Sequence, residues 1–199
     1  MKKEDFLVSI ACKEESEGLF EKFTDNIVFT GVGKINATYN LFKKLTEMKL
    51  QNKMPKYVIN FGSCGSKKYR KGSLVYCNKF TQRDMDCSIF GYEKGVTPSD
   101  KFSLILEHKN LINDLPNAIC GSGDNFVTTQ EIEKIVDVVE MEAYALAKVC
   151  KIENIDFLAV KYITDGLTET GGEDWNNEVR SSAQVMFNYF KKILNLENI

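Results

Sequence analysis

The chain alternates between short apolar runs and longer stretches that place apolar residues every third or fourth position. Residues 6–12 form the first apolar run, and residues 14–23 follow with Leu19, Phe20 and Phe23 at helical spacing. Residues 27–30 read as a second strand. Gly31-Val32-Gly33 then turns the chain into a helix with Ile35, Thr38, Phe42, Leu45 and Met48 on one face, ending before Pro55. Strands are expected at 57–61, 73–78 and 117–120, a polar loop over 80–100, and a helix over 101–111. Residues 138–150 pass from an apolar run into a helix with Met141, Ala145 and Val149 on one face. Residues 156–163 have the composition of a strand buried on both sides. The last helix starts at about Trp175 and carries Val179, Ala183, Met186, Phe190 and Ile193 in register. This alternation predicts an α/β fold, a three-layer α/β/α sandwich on a central mixed sheet, as one domain over 1–199.

Composition narrows the function classes. Hydrophobic residues are 43% and charged residues 27%, as expected of a globular chain and not of a disordered one. With 26 basic against 28 acidic residues, no strong field attracts nucleic acid or an anionic membrane. No apolar run approaches transmembrane length, and Lys13-Glu14-Glu15 follows the first run where a signal peptide would need a cleavage site. A cytoplasmic protein is expected. The six cysteines lack zinc-ligand spacing, and His108 is the only histidine, which argues against a multi-histidine metal site and a histidine-dependent triad.

Ligands of such sheets sit beyond the carboxyl ends of the strands. Several strands here are expected to end in glycine and small polar residues: Thr30-Gly31-Val32-Gly33-Lys34, Asn60-Phe61-Gly62-Ser63-Cys64-Gly65, Gly121-Ser122-Gly123-Asp124 and Thr164-Asp165-Gly166. The first fails both nucleotide patterns, because Asn36 replaces the third glycine and Ile35 follows Lys34. Acids stand beside these turns: Glu14 and Glu15 after the first strand, Glu140 and Glu142 flanking Met141, and Asp165 closing the most hydrophobic strand. An isolated acid is most simply a carboxylate favoured by a helix N-terminus. Three acids at three strand ends suggest one convergent acidic site.

Read in order, Ile10-Ala11-Cys12-Lys13-Glu14-Glu15, the Thr30–Lys34 and Asn60–Gly65 segments, Phe90-Gly91-Tyr92-Glu93, Ser122-Gly123-Asp124-Asn125-Phe126, Val139-Glu140-Met141-Glu142-Ala143 and Thr164-Asp165 resemble the purine nucleoside phosphorylase/uridine phosphorylase superfamily. The nearest branch is that of the 5'-methylthioadenosine/S-adenosylhomocysteine nucleosidases. The resemblance implies a nucleoside phosphorylase-like fold, trimmed near the N-terminus, since only Thr24-Asp25-Asn26 separates Phe23 from Ile27 where the family usually places two more strands.

It also implies roles. Asp165 would be the general acid at N7 of adenine, oriented by Thr164, and Glu15 the carboxylate that activates water. Glu142 would hold the ribose hydroxyls while Met141 packs on the sugar. Phe126 would stack on the purine, the Val127 backbone would read its edge, and Ser63 and Gly65 would line the site. The 5' substituent would lie among Cys12, Val32 and Trp175. Phe90, Tyr92 and Pro98 match a wall supplied by a second copy, so a homodimer is implied. No cofactor or metal is expected. Cys12 stands where a methionine is common and Trp175 where a smaller aromatic is common, both on the 5' side.

The chemistry is consistent with hydrolysis through an oxocarbenium-like sugar, with one carboxylic acid neutralising the departing base and a carboxylate taking a proton from water. Phosphorolysis on the same fold needs a cationic cradle, whereas Lys13-Glu14-Glu15-Ser16 follows the first strand, and Arg70, Arg83 and Arg180 match no phosphate-binding position. A non-catalytic adenine-nucleoside binder is the alternative from another class.

Overall fold

The computed structural model describes residues 3–128 and 134–195. Eight strands among them form one mixed sheet. They are β1 (Phe6–Ile10), β2 (Ile27–Phe29), β3 (Tyr57–Gly65), β4 (Leu74–Gln82), β5 (Leu106–Glu107), β6 (Asn117–Ser122), β7 (Val138–Glu140) and β8 (Asp156–Asp165). Four α-helices accompany them: α1 (Leu19–Phe23), α2 (Lys34–Leu50), α3 (Ala143–Ile152) and α4 (Gly171–Ile193).

The sheet runs β2-β1-β3-β7-β6-β4-β5, and β8 pairs with both β3 and β4. β3, β7, β6, β4 and β8 therefore close into a ring, so the centre of the expected sandwich is a barrel-like mixed sheet with helices around it. The β1, β3 and β8 pairings are parallel and β4 runs antiparallel to β8. Two apolar cores flank the sheet. One joins Leu41, Leu45, Leu146, Phe157 and Ile163 beneath α2 and α3. The other joins Phe6, Phe20, Phe61, Leu158 and Phe190 beneath α1 and α4. Alternation along β8, with Phe157 in one core and Leu158 in the other, is the two-residue period of a strand buried on both faces.

Three local readings are corrected. In α2 the buried stripe is Ala37, Leu41, Leu45 and Met48, while Ile35 is 81% and Phe42 52% exposed. Leu45 and Met48 of the expected stripe are buried, while Ile35 and Phe42 fall on an adjacent face. Residues 101–111 form no helix. The edge of β4 captures the segment, pairing Lys79 with Glu107 and Phe80 with Leu106, and tertiary pairing overrides a weak local preference. Finally, Gly62-Ser63-Cys64-Gly65 is the last part of β3, not a turn, because β8 pairs with it throughout.

The first expected helix also divides. A 3-10 turn spans Lys13–Glu15 and α1 begins only at Leu19, after the left-handed Glu17 and Gly18. That break leaves Glu15 on a short rigid turn directly after β1. Among the described residues, no helix is long and apolar enough to cross a membrane.

Candidate active site

A cavity of about 250 Å³ opens where β1, β3, β7 and β8 end, and Glu15, Glu142 and Asp165 all line it. Cys12, Val32, Ser63, Gly65, Phe126, Val127, Met141, Thr164 and Trp175 line it too, so twelve of the fifteen expected site residues come together. Phe90, Tyr92 and Pro98 do not reach it. They lie on the 83–100 loop, where Phe90 is 76% exposed.

Two glycines of β3 lie beside the acids. A Cβ on Gly62 would lie 3.4 Å from both carboxylate oxygens of Glu15 and 3.2 Å from Lys161 Nζ. A Cβ on Gly65 would lie 2.6 Å from Asp165 Oδ1 and 2.2 Å from Leu167 Cδ2. At the second position no side chain fits. The register between β3 and β8 shifts there, with Cys64 opposite Ile163 and Gly65 opposite Asp165, an irregularity that re-aims the end of β8.

Glu15 is buried and clamped through one oxygen. Its Oε1 accepts the Ser63 backbone N–H at 2.7 Å and the Ser63 hydroxyl at 2.6 Å. Its Oε2 is buried with no hydrogen-bond partner among the described residues. Asp165 is fixed at both oxygens, Oδ1 accepting Leu167 N–H at 3.0 Å and Oδ2 the Thr164 hydroxyl at 2.9 Å. Both carboxylates are thus oriented by neighbours already in place.

Glu142 accepts the Gly33 N–H at 2.8 Å, which ties it to the start of α2. Burial, reinforced by the negative charge of Glu140, pushes its pKa up to about 8, against the opposing charge of Lys161. Glu140 and Lys161 form an ion pair at 3.0 Å, their side chains only 3% and 2% exposed. Burial alone would raise the Glu140 pKa, but Lys161, the Ser122 hydroxyl and the backbone N–H groups of Glu142 and Ala143 hold it below the ordinary value. Those two N–H groups, at 2.9 and 2.8 Å, open α3, so Glu140 also satisfies a helix N-terminus. Burial likewise pushes the Cys12 thiol up to about 12, with the Glu15 charge adding to it, so Cys12 serves as neutral wall.

Sequence reasoning named Glu140 without a role, set Arg83 aside as matching no phosphate-binding position, and missed Lys161. A lysine inside the apolar run of β8 is the signal that was there to be read, since an unpaired buried lysine is so costly. Arg83 lines the cavity and pins the loop before Phe126: its Nη1 donates to Asn125 Oδ1 at 2.7 Å, and its Nη2 to the Gly123 carbonyl at 3.2 Å and to the Asn125 carbonyl. Sequence offers no clue to that pairing.

A cavity of about 250 Å³, a convergent set of acids and a mixed sheet closed on itself define a small-molecule site of acid–base character. The chain belongs to the phosphorylase superfamily, whose family model matches residues 26–195. Its sequence relatives lie in the 5'-methylthioadenosine/S-adenosylhomocysteine nucleosidase branch. The enzyme of that name from Haemophilus influenzae (strain PittEE) is 32% identical over 159 residues, 69% of this chain and 66% of the relative, so the chain spans just under two thirds of that relative's length. Among solved structures, the Neisseria meningitidis nucleosidase in complex with methylthio-immucillin-A superposes with a TM-score of 0.82 at 20% identity, covering 98% of this chain and 100% of that one. The futalosine hydrolase of Helicobacter pylori gives 0.82 at 21% identity, covering 96% and 97%. At such identities these two likenesses establish the fold.

Proposed function

We propose that this chain hydrolyses the N-glycosidic bond of 5'-methylthioadenosine and S-adenosylhomocysteine, with 5'-deoxyadenosine as a further substrate, releasing adenine and the 5-substituted ribose. The observation that carries this reading is a single cavity lined by both Glu15, one oxygen clamped and the other unpartnered, and Asp165, fixed at both oxygens. An acid and a carboxylate in one cavity, with water activated by the second, are the parts that inverting glycoside hydrolysis uses.

In this mechanism Asp165 donates its proton to N7, and the C1'–N9 bond breaks with its electron pair going to the adenine. Glu15 Oε2 takes a proton from water, whose oxygen bonds to C1' as positive charge develops on the sugar. Acid and base steps of this kind each contribute about 10²–10⁴-fold. Glu142 receives the ribose hydroxyls, Met141 packs on the sugar, Phe126 stacks on the purine and the Val127 backbone reads its edge. Cys12, Val32 and Trp175 face the 5' substituent. The relatives are named for this activity, which supports the reading.

Hydrolysis is favoured over phosphorolysis because the water side of the cavity is acidic. Arg83, the cavity's arginine among the described residues, is committed to the Gly123 and Asn125 carbonyls beside Phe126. Adenine release from 5'-methylthioadenosine with phosphate rigorously absent tests this directly. Release only after phosphate is added overturns the role of Glu15.

The reading extends to a homodimer. Ile35, Tyr39 and Phe42 stand at helical spacing on the outer face of α2, 81%, 64% and 52% exposed, and the 83–100 loop presents Ile89 and Phe90. Such apolar exposure marks an association surface, and a second copy's Phe90, Tyr92 and Pro98 would complete the 5' wall. Sedimentation equilibrium giving twice the chain mass supports this, and a monomer at micromolar concentration refutes it.

A further inference from the structure

Trp175 is the chain's one tryptophan, and it does more at the cavity than fill space. Its indole N–H donates to Ser63 Oγ at 2.8 Å, and Ser63 Oγ in turn donates to Glu15 Oε1 at 2.6 Å. An indole N–H only donates, and an ionised carboxylate only accepts. The direction of the chain is therefore fixed from α4 through β3 to the turn after β1. With Trp175 donating into it, the Ser63 hydroxyl has one proton to give and gives it to Glu15. Because Ser63 N–H also donates to Oε1, both nearby donors are spent on one oxygen. The other, Oε2, is buried with its lone pairs unused, on a residue that lines the cavity.

We infer that Trp175 is a positioning residue for Glu15: its indole N–H, acting through the Ser63 hydroxyl, selects which carboxylate oxygen serves as the base. This rests on the hydrolytic reading above and adds to it a residue whose hydrogen bond, as distinct from its ring, affects turnover. A phenylalanine at this position would cover the same part of the pocket and donate nothing. Linked hydrogen bonds polarise one another, so the effect of the indole reaches a carboxylate it does not touch.

Trp175→Phe keeps the ring and removes the donor. The expected result is a kcat for 5'-methylthioadenosine lowered by about 5- to 20-fold, the range of one hydrogen bond to a polarised group, with KM changed by less than about twofold. Ser63→Ala is expected to lower kcat as well, and the double variant to fall little below Ser63→Ala alone, because both act through one chain of bonds. A Trp175→Phe variant with raised KM and unchanged kcat would show that the residue only packs against the 5' group, and would overturn the inference.

A second measurement needs no turnover. One tryptophan gives one indole signal in a proton–nitrogen correlation spectrum of the ligand-free protein. That signal is expected to move upfield and to exchange faster with water in Ser63→Ala, and to move in Glu15→Gln, whose change lies beyond the indole's own contact. An indole signal indifferent to both variants overturns the inference even if the enzyme is active. Wild-type protein that releases no adenine overturns the hydrolytic reading instead, while the indole signal still reports on the hydrogen-bond chain.

Discussion

Replacing Lys161 by methionine keeps most of the side chain's volume and removes its charge, leaving Glu140 ionised in a site where its side chain is only 3% exposed. Breaking a buried pair from one side typically costs about 3–5 kcal/mol. Here the Ser122 hydroxyl and two backbone N–H groups continue to donate to Glu140, which places the expected loss at the lower end, about 3 kcal/mol. For a chain of this length that is a fall in Tm of about 6–12 °C. Urea denaturation at neutral pH with a circular-dichroism signal measures it. The double variant Lys161→Met/Glu140→Gln removes the stranded charge but keeps a carbonyl to accept from the start of α3, and is expected to recover at least half of the loss. A loss below about 1 kcal/mol for Lys161→Met, or a double variant less stable than the single one, would refute the claim that this pair is a coupled, desolvated unit.

Asp165→Asn is expected to keep the fold and lose turnover by at least about 10²-fold, measured as adenine release alongside an unchanged thermal melt. Glu15→Gln is expected to lose a similar factor, and the loss should fall on kcat because the base acts on water and not on substrate binding. Gly65→Ala would drive a Cβ to 2.6 Å from Asp165 Oδ1, so both activity and stability should fall, the latter by about 1–3 kcal/mol. The Glu142 pKa, raised to about 8 by burial and by Glu140, makes a prediction of definite sign. Its contribution to stability is fully present below the unfolded carboxylate range, near pH 4.5, and is lost as pH rises through about 8. Glu142→Gln cannot ionise, so its Tm relative to the parent protein should rise between about pH 5 and about pH 9, and a constant difference would contradict the assignment.

Much of the architecture was legible because strands and helices in this chain have distinct periods. The alternation of β8 and the register of Val179, Ala183, Met186 and Phe190 in α4 are local patterns, and the structure buries them as expected. The convergence of Glu15, Glu142 and Asp165 was legible through motif order. What was not legible depends on partners distant in sequence. The phase of α2 buries Ala37 and Leu41 in place of Ile35 and Phe42, which bulk-weighted periodicity misses. The edge pairing of Leu106–Glu107 exists only because β4 lies beside it. Lys161 is explained only by Glu140, twenty-one positions away, and Arg83 only by carbonyls at Gly123 and Asn125.

The two glycines of β3 carry a consequence for how such a site can change over time. At Gly65 a Cβ would meet Leu167 Cδ2 at 2.2 Å and Asp165 Oδ1 at 2.6 Å, whereas at Gly62 it would fit tightly, 3.2 Å from Lys161 Nζ and 3.4 Å from the Glu15 oxygens. Mutation can hardly explore Gly65 and is narrowly limited at Gly62. Val32 and Cys12, by contrast, stand on a turn and a strand exit, partly or largely open to solvent. Drift can therefore retune what the pocket admits at its rim while the bond-breaking centre stays frozen, so new specificities in this lineage should arise by substitution around the mouth and not in the sheet.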